Sequence, residues 1–338
     1  MTLPDFLLIG APKAGTTALH VALAQHPQLY LSPVKEPKFF LTDGAPPAGP
    51  GGPGDAQTFR QYVWRRPDYE ALFEAAPAGT RKGESTTLYL RDPAAHSRIA
   101  ALLPEAKLVA VVRDPVDRAH SNWTHLRSAG LEPEADFLRA CALEPSRAAR
   151  GWGPFWRYLD LGRYGAQLEH LYSVFPREQV HVVLYRDLRR EPVSTLDGIC
   201  AFLGVDTGVV GTVPAENVTA AAAQSRIDRA VGYVLPALDR LPSAVRAPVT
   251  TRVRRWLQRE QRTRTPLTPA ERAELLPAFD EDITLLEKLT GLRLDHWRAE
   301  HAHTRPPLEI RGRFGTAHSD IDRPIQRRPH PGSVDEAR

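Results

Sequence analysis

The sequence predicts a three-layer α/β fold in which helices flank a central parallel sheet. An apolar run at 6–9 stops at Gly10 and passes through a short loop into an Ala- and Leu-rich segment that begins at Ala18. A second apolar run, 107–112, is rich in β-branched residues, and Pro115 follows it where a helix would start. Strands that alternate with helices in this order are typical of parallel sheets.

The remaining elements are predicted from shorter signals. A short strand is expected at 29–31 and a further strand at 180–185. A helical pattern runs from 188 to 205 and closes at Gly204, because glycine is favoured just past a helix end. The Gly- and Pro-rich stretch at 44–54 can form neither helix nor strand, and we expect a loop that is either a lid or a passive insertion.

The loop after the first strand is predicted to bind a phosphate group. A strand, a glycine turn and a helix N-terminus together point backbone N–H groups and the helix dipole at an anion. The segment nearly matches the nucleotide-binding pattern G-x-x-x-x-G-K-[ST], with Gly10, Gly15 and Thr17 in place. Thr16 stands where that pattern has its lysine, and Lys13 lies upstream instead. Such a P-loop-like turn can cradle a phosphate but lacks the usual lysine clamp on a β/γ-phosphate pair.

A second anion site is predicted where the strand at 107–112 ends. Arg113 lies at the carboxyl edge of that strand, where open α/β sheets bind their ligands. Arg118 and Ser121 are three residues apart on the following helix and therefore share a face. A guanidinium offers a planar fork to phosphate and a serine offers a hydroxyl.

These two motifs resemble those of sulfotransferases that use 3′-phosphoadenylyl sulfate (PAPS), and the resemblance extends over about residues 4–298. It includes residues 267–297, which resemble the C-terminal helix of that family. It implies a P-loop-like sulfotransferase fold and transfer of a sulfonate group from PAPS to an acceptor hydroxyl, with release of PAP. By this resemblance the 5′-phosphosulfate lies on the loop, and Arg113 and Ser121 bind the 3′-phosphate. The loop residues expected to bind the cofactor are Lys13, Ala14, Gly15, Thr16 and Thr17.

A third segment, Lys35-Glu36-Pro37-Lys38-Phe39-Phe40, resembles one found in carbohydrate sulfotransferases related to the heparan sulfate enzymes. There the glutamate is the proposed general base, which makes Glu36 a catalytic candidate beside Lys13. The alternative for Glu36 is an ion pair with a neighbouring lysine on a solvated loop. His120 is the reserve candidate for the base.

Residues 83–90 are similar to a further segment of that family, with two departures. Ser85 stands where the glycosaminoglycan enzymes often have a lysine, and Thr87 stands where they have a proline. The resemblance favours a small-molecule or glycan acceptor, namely a sugar or a glycosylated natural product, and amines, phenols and lipids are the alternatives. The loop that closes over PAP in the animal enzymes has no visible counterpart, and residues 217–226 are an unassigned candidate for it.

Two other functions fit the same motifs. A P-loop small-molecule kinase would share the fold, but the displaced lysine argues against it. A non-catalytic PAP-binding protein would share the loop, but the presence of both Lys13 and Glu36 argues against that.

The composition is that of an ordinary globular protein. The chain has 338 residues, 42% of them hydrophobic and 25% charged, which suffices for a large core. We expect a catalytic domain at 1–300 and a polar, partly disordered tail at 301–338. No apolar run approaches the roughly 20 residues of a membrane span, and no signal core is evident, so a cytoplasmic protein is expected.

Other partners have little support in the sequence. The basic run at 252–264 is interpreted as a solvated helix face, and no nucleic-acid-binding motif accompanies it. The histidines show no H-E-x-x-H pattern and no C-x-x-C companion, so no metal site is expected. The two cysteines, Cys141 and Cys200, are expected to be reduced.

Overall fold

The fold is built on one sheet of five parallel strands in the order β2-β3-β1-β4-β5, flanked by helices. The computed structural model describes residues 2–49, 51–211 and 266–299. The strands are β1 (Phe6–Gly10), β2 (Leu29–Leu31), β3 (Arg81–Ser85), β4 (Lys107–Val112) and β5 (Val180–Leu184). The predicted three-layer α/β class with a central parallel sheet is therefore confirmed.

Helices connect the strands and cover the sheet. Before β5 they are α1 (Thr16–Leu23), α2 (Asp55–Phe59), α3 (Arg66–Ala71), α4 (Pro93–Leu102), α5 (Pro115–Ser128), α6 (Phe137–Ala142), α7 (Glu144–Ala149) and α8 (Tyr164–Val174). After β5 they are α9 (Tyr185–Arg190), α10 (Pro192–Leu203), α11 (Pro269–Leu275), α12 (Asp280–Thr290) and α13 (Asp295–Arg298). All the described residues belong to one compact unit.

The core is centred on β1 and β4, whose side chains are almost completely shielded from solvent. Every residue of β1 is buried, as is typical of a parallel strand covered on both faces. The connection that leaves β1 runs to β2 on one side, and the connection that leaves β3 crosses to β4 on the other side. Ligands in open α/β sheets bind at the carboxyl edge where the connections diverge in this way, and β1 ends there.

Several predicted boundaries are corrected by the structure. The first helix begins at Thr16 rather than Ala18, and the strand at 180 ends at Leu184 because Tyr185 already begins α9. The helix predicted over 188–205 is broken at Glu191, since Pro192 starts a new helix. Gly204 does cap that second helix in the left-handed conformation, as expected. The 267–297 segment contains three short helices rather than one.

The Gly- and Pro-rich segment contains neither helix nor strand at 44–49 and 51–54, as predicted. Its far end is fastened by Asp55, a buried carboxylate that accepts hydrogen bonds from the N–H groups of Gly52 and Gly153 and from the indole of Trp156. The predicted tail at 301–338, the basic run at 252–264 and the candidate segment at 217–226 lie outside the described residues.

A histidine pair, of which His96 is buried and His170 is half-buried, joins α4 to α8. The Nδ1 atoms of His96 and His170 lie 2.9 Å apart, and Nε2 of His96 lies 3.1 Å from the Leu90 carbonyl oxygen. The side chain of His96 is 1% exposed. Burial, together with the charge of His170, lowers the pKa of His96 to about 4.

This pair predicts a loss of stability in mild acid. The unfolded chain takes up a proton at His96 near the ordinary pKa of about 6.5, whereas the folded chain resists it until about pH 4. The free energy of unfolding should therefore fall as pH decreases through that window, by about 2 kcal/mol between pH 7 and pH 5 from this group. Urea unfolding of the wild type and His96→Gln at both pH values tests it. An equal pH-dependent loss in the two proteins would contradict the assignment.

Candidate active site

The loop between β1 and α1 has the backbone geometry of an anion cradle. Lys13 and Gly15 both adopt positive φ angles, 67° and 83°. Gly15 occupies the cap position of α1 and has no side-chain oxygen, so the N–H groups of the first helical turn are left for a ligand or solvent. A Cβ atom at Gly15 would lie 2.8 Å from the ring of Tyr185, which makes glycine necessary here.

Arg113 lies directly against this loop. Its Nη1 donates a hydrogen bond of 3.1 Å to the carbonyl oxygen of Lys13. The guanidinium also lies 4.9 Å from the centre of the Tyr185 ring. The ends of β1, β4 and β5 thus bring a lysine, an arginine and a tyrosine together at the carboxyl edge of the sheet. Tyr185 did not figure in the sequence prediction, although its place directly after an apolar strand is a signal for this edge.

Arg118 and Ser121, expected on one face of the helix that follows Arg113, differ in burial. Ser121 lies two turns along α5 and is half-buried. Arg118 is completely buried, and its Nη2 donates to the carbonyl oxygen of Tyr158. Arg118 is therefore part of the interior rather than a ligand-binding fork, whereas Ser121 retains access to solvent.

Glu36 is held in a fixed position beside the end of β3. It adopts a left-handed backbone conformation, with φ of 61°, and its N–H donates to the Ser85 carbonyl oxygen at 2.8 Å. One carboxylate oxygen accepts hydrogen bonds from Lys35 Nζ at 3.0 Å and from Thr87 Oγ1 at 2.9 Å. The Thr87 N–H donates to the other oxygen at 3.2 Å. A non-glycine residue in this conformation is strained, and the strain persists only where surrounding contacts hold the residue in place, as they do here.

The electrostatic surroundings keep Glu36 ionised. Burial alone would raise the pKa of its carboxyl group, but the charges of Lys35 and Lys38 and the hydrogen bonds from Lys35 and Thr87 lower the pKa below its ordinary value. The side chain is still 25% exposed. The lysine pairing weighed in the sequence analysis is thus present, in a partly buried setting with an ordered threonine rather than on a fully solvated loop.

The side chain of Lys38 contacts an aromatic ring. Its Nζ lies 4.8 Å from the centre of the Tyr62 ring, and its N–H donates to Thr86 Oγ1 at 3.2 Å. Like Glu36, it has a φ of 61°. Glu36 and Lys38, both in the left-handed conformation, are two residues apart, so the chain turns sharply at this segment.

Two other candidate bases are less suited to touch an acceptor. Glu84 has no exposed surface and accepts hydrogen bonds from the hydroxyls of Tyr69, Tyr89 and Thr86 at 2.8–3.1 Å. Burial raises its pKa to about 7 despite these bonds. His120 packs its ring against Phe137 and Trp123, with centroids 5.0 and 5.5 Å away, and burial lowers its pKa.

A histidine that the sequence analysis did not consider links the two halves of the site. Nδ1 of His20, on α1, lies 2.7 Å from Oγ of Ser85. Burial and the charge of Lys35 lower the pKa of His20 to about 4, so the ring is neutral. Ser85 thus joins the helix that follows the loop to the backbone that holds Glu36.

Metal-binding clusters, membrane spans and disulfide bonds were sought among the described residues. In residues 2–49, 51–211 and 266–299 no three His, Cys, Asp or Glu side chains come together in a way that could hold a metal ion. In the same ranges, no helix is long and apolar enough to cross a membrane. Cys141 and Cys200 are both buried and unbridged.

Comparison with known proteins extends these findings. A model of the sulfotransferase family matches residues 4–208, a range that contains every site residue predicted from the sequence. The human bifunctional heparan sulfate N-deacetylase/N-sulfotransferase 3 is 30% identical over 210 residues, which are 60% of this chain and 22% of that protein. The human heparan sulfate glucosamine 3-O-sulfotransferase 3B1 is 30% identical over 203 residues, with 60% and 46% covered. This chain therefore spans about a fifth to a half of the length of these relatives.

A solved structure is similar over most of the chain. The crystal structure of a sulfotransferase from Alicyclobacillus acidocaldarius superimposes with a TM-score of 0.70 at 29% sequence identity. The match covers 88% of this chain and 100% of the other. It extends the similarity beyond the range matched by the family model.

Proposed function

The chain belongs to the sulfotransferase family, and on that premise we propose that it transfers a sulfonate group from PAPS to an acceptor hydroxyl and releases PAP. The observation that supports the proposal is the hydrogen bond from Arg113 to the carbonyl oxygen of Lys13, because it would set the two proposed anion sites side by side. A substrate with phosphate groups at both its 5′ and 3′ positions needs two such sites side by side.

On the donor side, the residues present fit the substrate. The N–H groups of residues 15–17 would hold the 5′-phosphosulfate at the N-terminus of α1. The N–H group of Ala14, also expected there, instead donates to the carbonyl oxygen of Ala11 at 3.2 Å. Lys13 would neutralise the charge that develops on the bridging oxygen as the sulfur–oxygen bond breaks, by the electrostatic logic of phosphoryl transfer. Arg113 and Ser121 would bind the 3′-phosphate through charge-assisted hydrogen bonds.

On the acceptor side, Glu36 would act as the general base. The acceptor oxygen attacks sulfur, its proton passes to the Glu36 carboxylate, and the bond between sulfur and the bridging phosphate oxygen breaks with its electron pair left on PAP. A hydroxyl is a poor nucleophile until its proton is removed, and a well-placed carboxylate contributes about 10²–10⁴-fold. The lowered pKa of Glu36 keeps it in the form that accepts a proton at neutral pH.

We further propose a sugar or a glycosylated natural product as the acceptor. The two human relatives carry the name of heparan sulfate, which supports a carbohydrate. Ser85 makes its contact with a neutral histidine rather than offering a cation, which argues for an acceptor less anionic than a sulfated polysaccharide. Incubation of the protein and PAPS with a panel of sugars, phenols and amines, followed by mass spectrometry for SO₃-shifted products, tests the acceptor class.

We propose that the protein works in the cytoplasm. The support is the pair of buried, unbridged cysteines, which is typical of proteins in a reducing compartment. Fractionation of cells that express the protein, followed by immunoblotting, tests this assignment.

Calorimetry distinguishes the proposed function from its rivals. A PAPS-dependent enzyme and a non-catalytic binder should both bind PAP more tightly than ADP or ATP, whereas a kinase should prefer the adenosine phosphates without a 3′-phosphate. Conversion of PAPS to PAP in the presence of an acceptor then separates the enzyme from the binder.

A further expected result concerns metal ions. Because Lys13, Arg113 and the loop N–H groups supply the positive charge in this scheme, addition of EDTA should leave the rate of PAP formation within about twofold of its value in Mg²⁺. A Mg²⁺-dependent kinase assayed in the same buffer is the control for complete chelation. A strict requirement for Mg²⁺ would count against the assigned chemistry and in favour of phosphoryl transfer.

A further inference from the structure

Arg272 reaches from α11 into the turn between β4 and α5. Its Nη1 donates to Asp114 Oδ1 at 3.1 Å and to Asp117 Oδ1 at 3.2 Å. Its Nη2 donates to the other oxygen of Asp114 and, at 2.7 Å, to the carbonyl oxygen of Trp297. Arg272 lies beyond residues 4–208, the range matched by the family model.

Asp114 gives this contact its significance, because it follows Arg113 directly in the chain. It is buried, and one carboxylate oxygen caps α5 by accepting from the N–H groups of Val116 and Asp117, both at 3.0 Å. The orientation of Asp114 therefore fixes the start of the helix that carries Ser121. Arg113 lies between this cap and the end of β4 at Val112.

Charge gives Arg272 a second effect. Asp114 and Asp117 place two carboxylates on the turn that would hold a phosphate. Without a cation beside them, these two carboxylates would repel the phosphate. Asp114 would also compete with the phosphate for the guanidinium of Arg113. Burial raises the pKa of Asp114, and the hydrogen bonds from Arg272 oppose that rise.

We propose that Arg272 is a positioning residue for the nucleotide site, one that neutralises Asp114 and Asp117 and fixes the β4–α5 turn so that Arg113 and Ser121 receive the 3′-phosphate. This inference rests on the proposed function. It implies that a residue from the C-terminal segment determines selectivity for a nucleotide with a 3′-phosphate, without touching that nucleotide.

The test is calorimetric titration of the full-length protein with PAP and with 5′-AMP. Arg272→Met should weaken PAP binding by at least about tenfold and AMP binding by less than about threefold. Arg272→Lys keeps the charge and should retain the ratio of the two affinities to within about threefold. Arg298→Met is the matched control, since it removes an arginine of the same region that pairs with Asp280 and Glu287. It should leave the ratio unchanged.

A second variant keeps the test decisive if Arg272→Met does not fold. Asp117 is partly exposed, and its side chain pairs with Arg272. Asp117→Asn should raise the preference for PAP over AMP by about two- to fivefold, because it removes a carboxylate while Arg272 stays. An unchanged preference in Asp117→Asn, or in a folded Arg272→Met, would overturn the inference. A wild type that binds PAP and AMP equally would instead overturn the proposed function.

Discussion

Replacing Glu36 by glutamine is expected to lower kcat for sulfonate transfer by roughly 100-fold or more, while PAP affinity stays within about twofold of wild type. The glutamine is nearly isosteric and keeps one oxygen that can accept from the Thr87 hydroxyl, but its amide group cannot take a proton. The loss should be smaller with an acceptor of lower pKa, such as an activated phenol, which needs less help in losing its proton. Steady-state rates with the two acceptor types, together with PAP calorimetry, measure both effects.

Two comparisons make this result specific. Glu74→Gln changes an exposed glutamate outside the site and should behave as wild type. Lys13→Ala should lower both turnover and PAP affinity, because Lys13 is assigned to the leaving group rather than to the acceptor. Near-normal turnover in Glu36→Gln would make Glu36 an ordinary loop charge, and the search for the base would move to His120 and Glu84.

Removing the side chain of Arg113 is expected to abolish most of the preference for PAP over 5′-AMP. The charge-assisted contact with the 3′-phosphate should be worth about 1.5–3 kcal/mol, which corresponds to roughly a 10- to 150-fold loss of PAP affinity in Arg113→Ala. AMP lacks the 3′-phosphate, so its affinity should change much less. Titration of wild type and variant with both nucleotides measures the difference.

The matched control for Arg113 is Arg186→Ala. Arg186 follows Tyr185, is exposed and pairs with Asp187 at 3.4 Å, so its loss removes a nearby positive charge without touching the loop. Equal losses of PAP affinity in the two variants would indicate a general electrostatic effect and would remove Arg113 from the 3′-phosphate site.

The central elements of the fold were predictable because their signals are local. The run that forms β1 is apolar, and so is the run that forms β4 after its first residue, Lys107, as is typical of strands buried on both faces of a parallel sheet. Gly10 and Gly15 mark the loop between β1 and α1, and both have close neighbours that a side chain would strike. Pattern and tertiary structure agree there, so the loop could be located before the fold was known.

β3 could not be predicted in this way. Its sequence, Arg81-Lys82-Gly83-Glu84-Ser85, is polar and has a glycine at its centre, which is unfavourable for a strand. Glycine is required at the centre of β3 because Gly83 lies under the ring of Phe6, where a Cβ atom would come within 2.2 Å of the ring. Hydrogen bonds to β1 on one side and to β2 on the other stabilise the strand despite its low intrinsic β-propensity.

The site was predicted at the level of residue types but not of contacts. Lys13 and Arg113 were named, yet their contact spans 100 residues of sequence and becomes visible only in the fold. Thr87 was noted only as a departure from the family pattern, whereas in the structure it donates two hydrogen bonds to Glu36. The pairing of Arg272 with Asp114 spans 158 residues and has no local signal at all.

The central claim is that this chain moves a sulfonate group from PAPS to an acceptor. The most direct test follows PAP and the SO₃-shifted product together by liquid chromatography and mass spectrometry during incubation of the full-length protein with PAPS and the panel of acceptors. We predict equal molar amounts of PAP and sulfonated product in the wild type, and neither above background in Lys13→Ala. Unchanged PAPS with every acceptor class, in a protein that consumes ATP in the presence of Mg²⁺, would contradict the account.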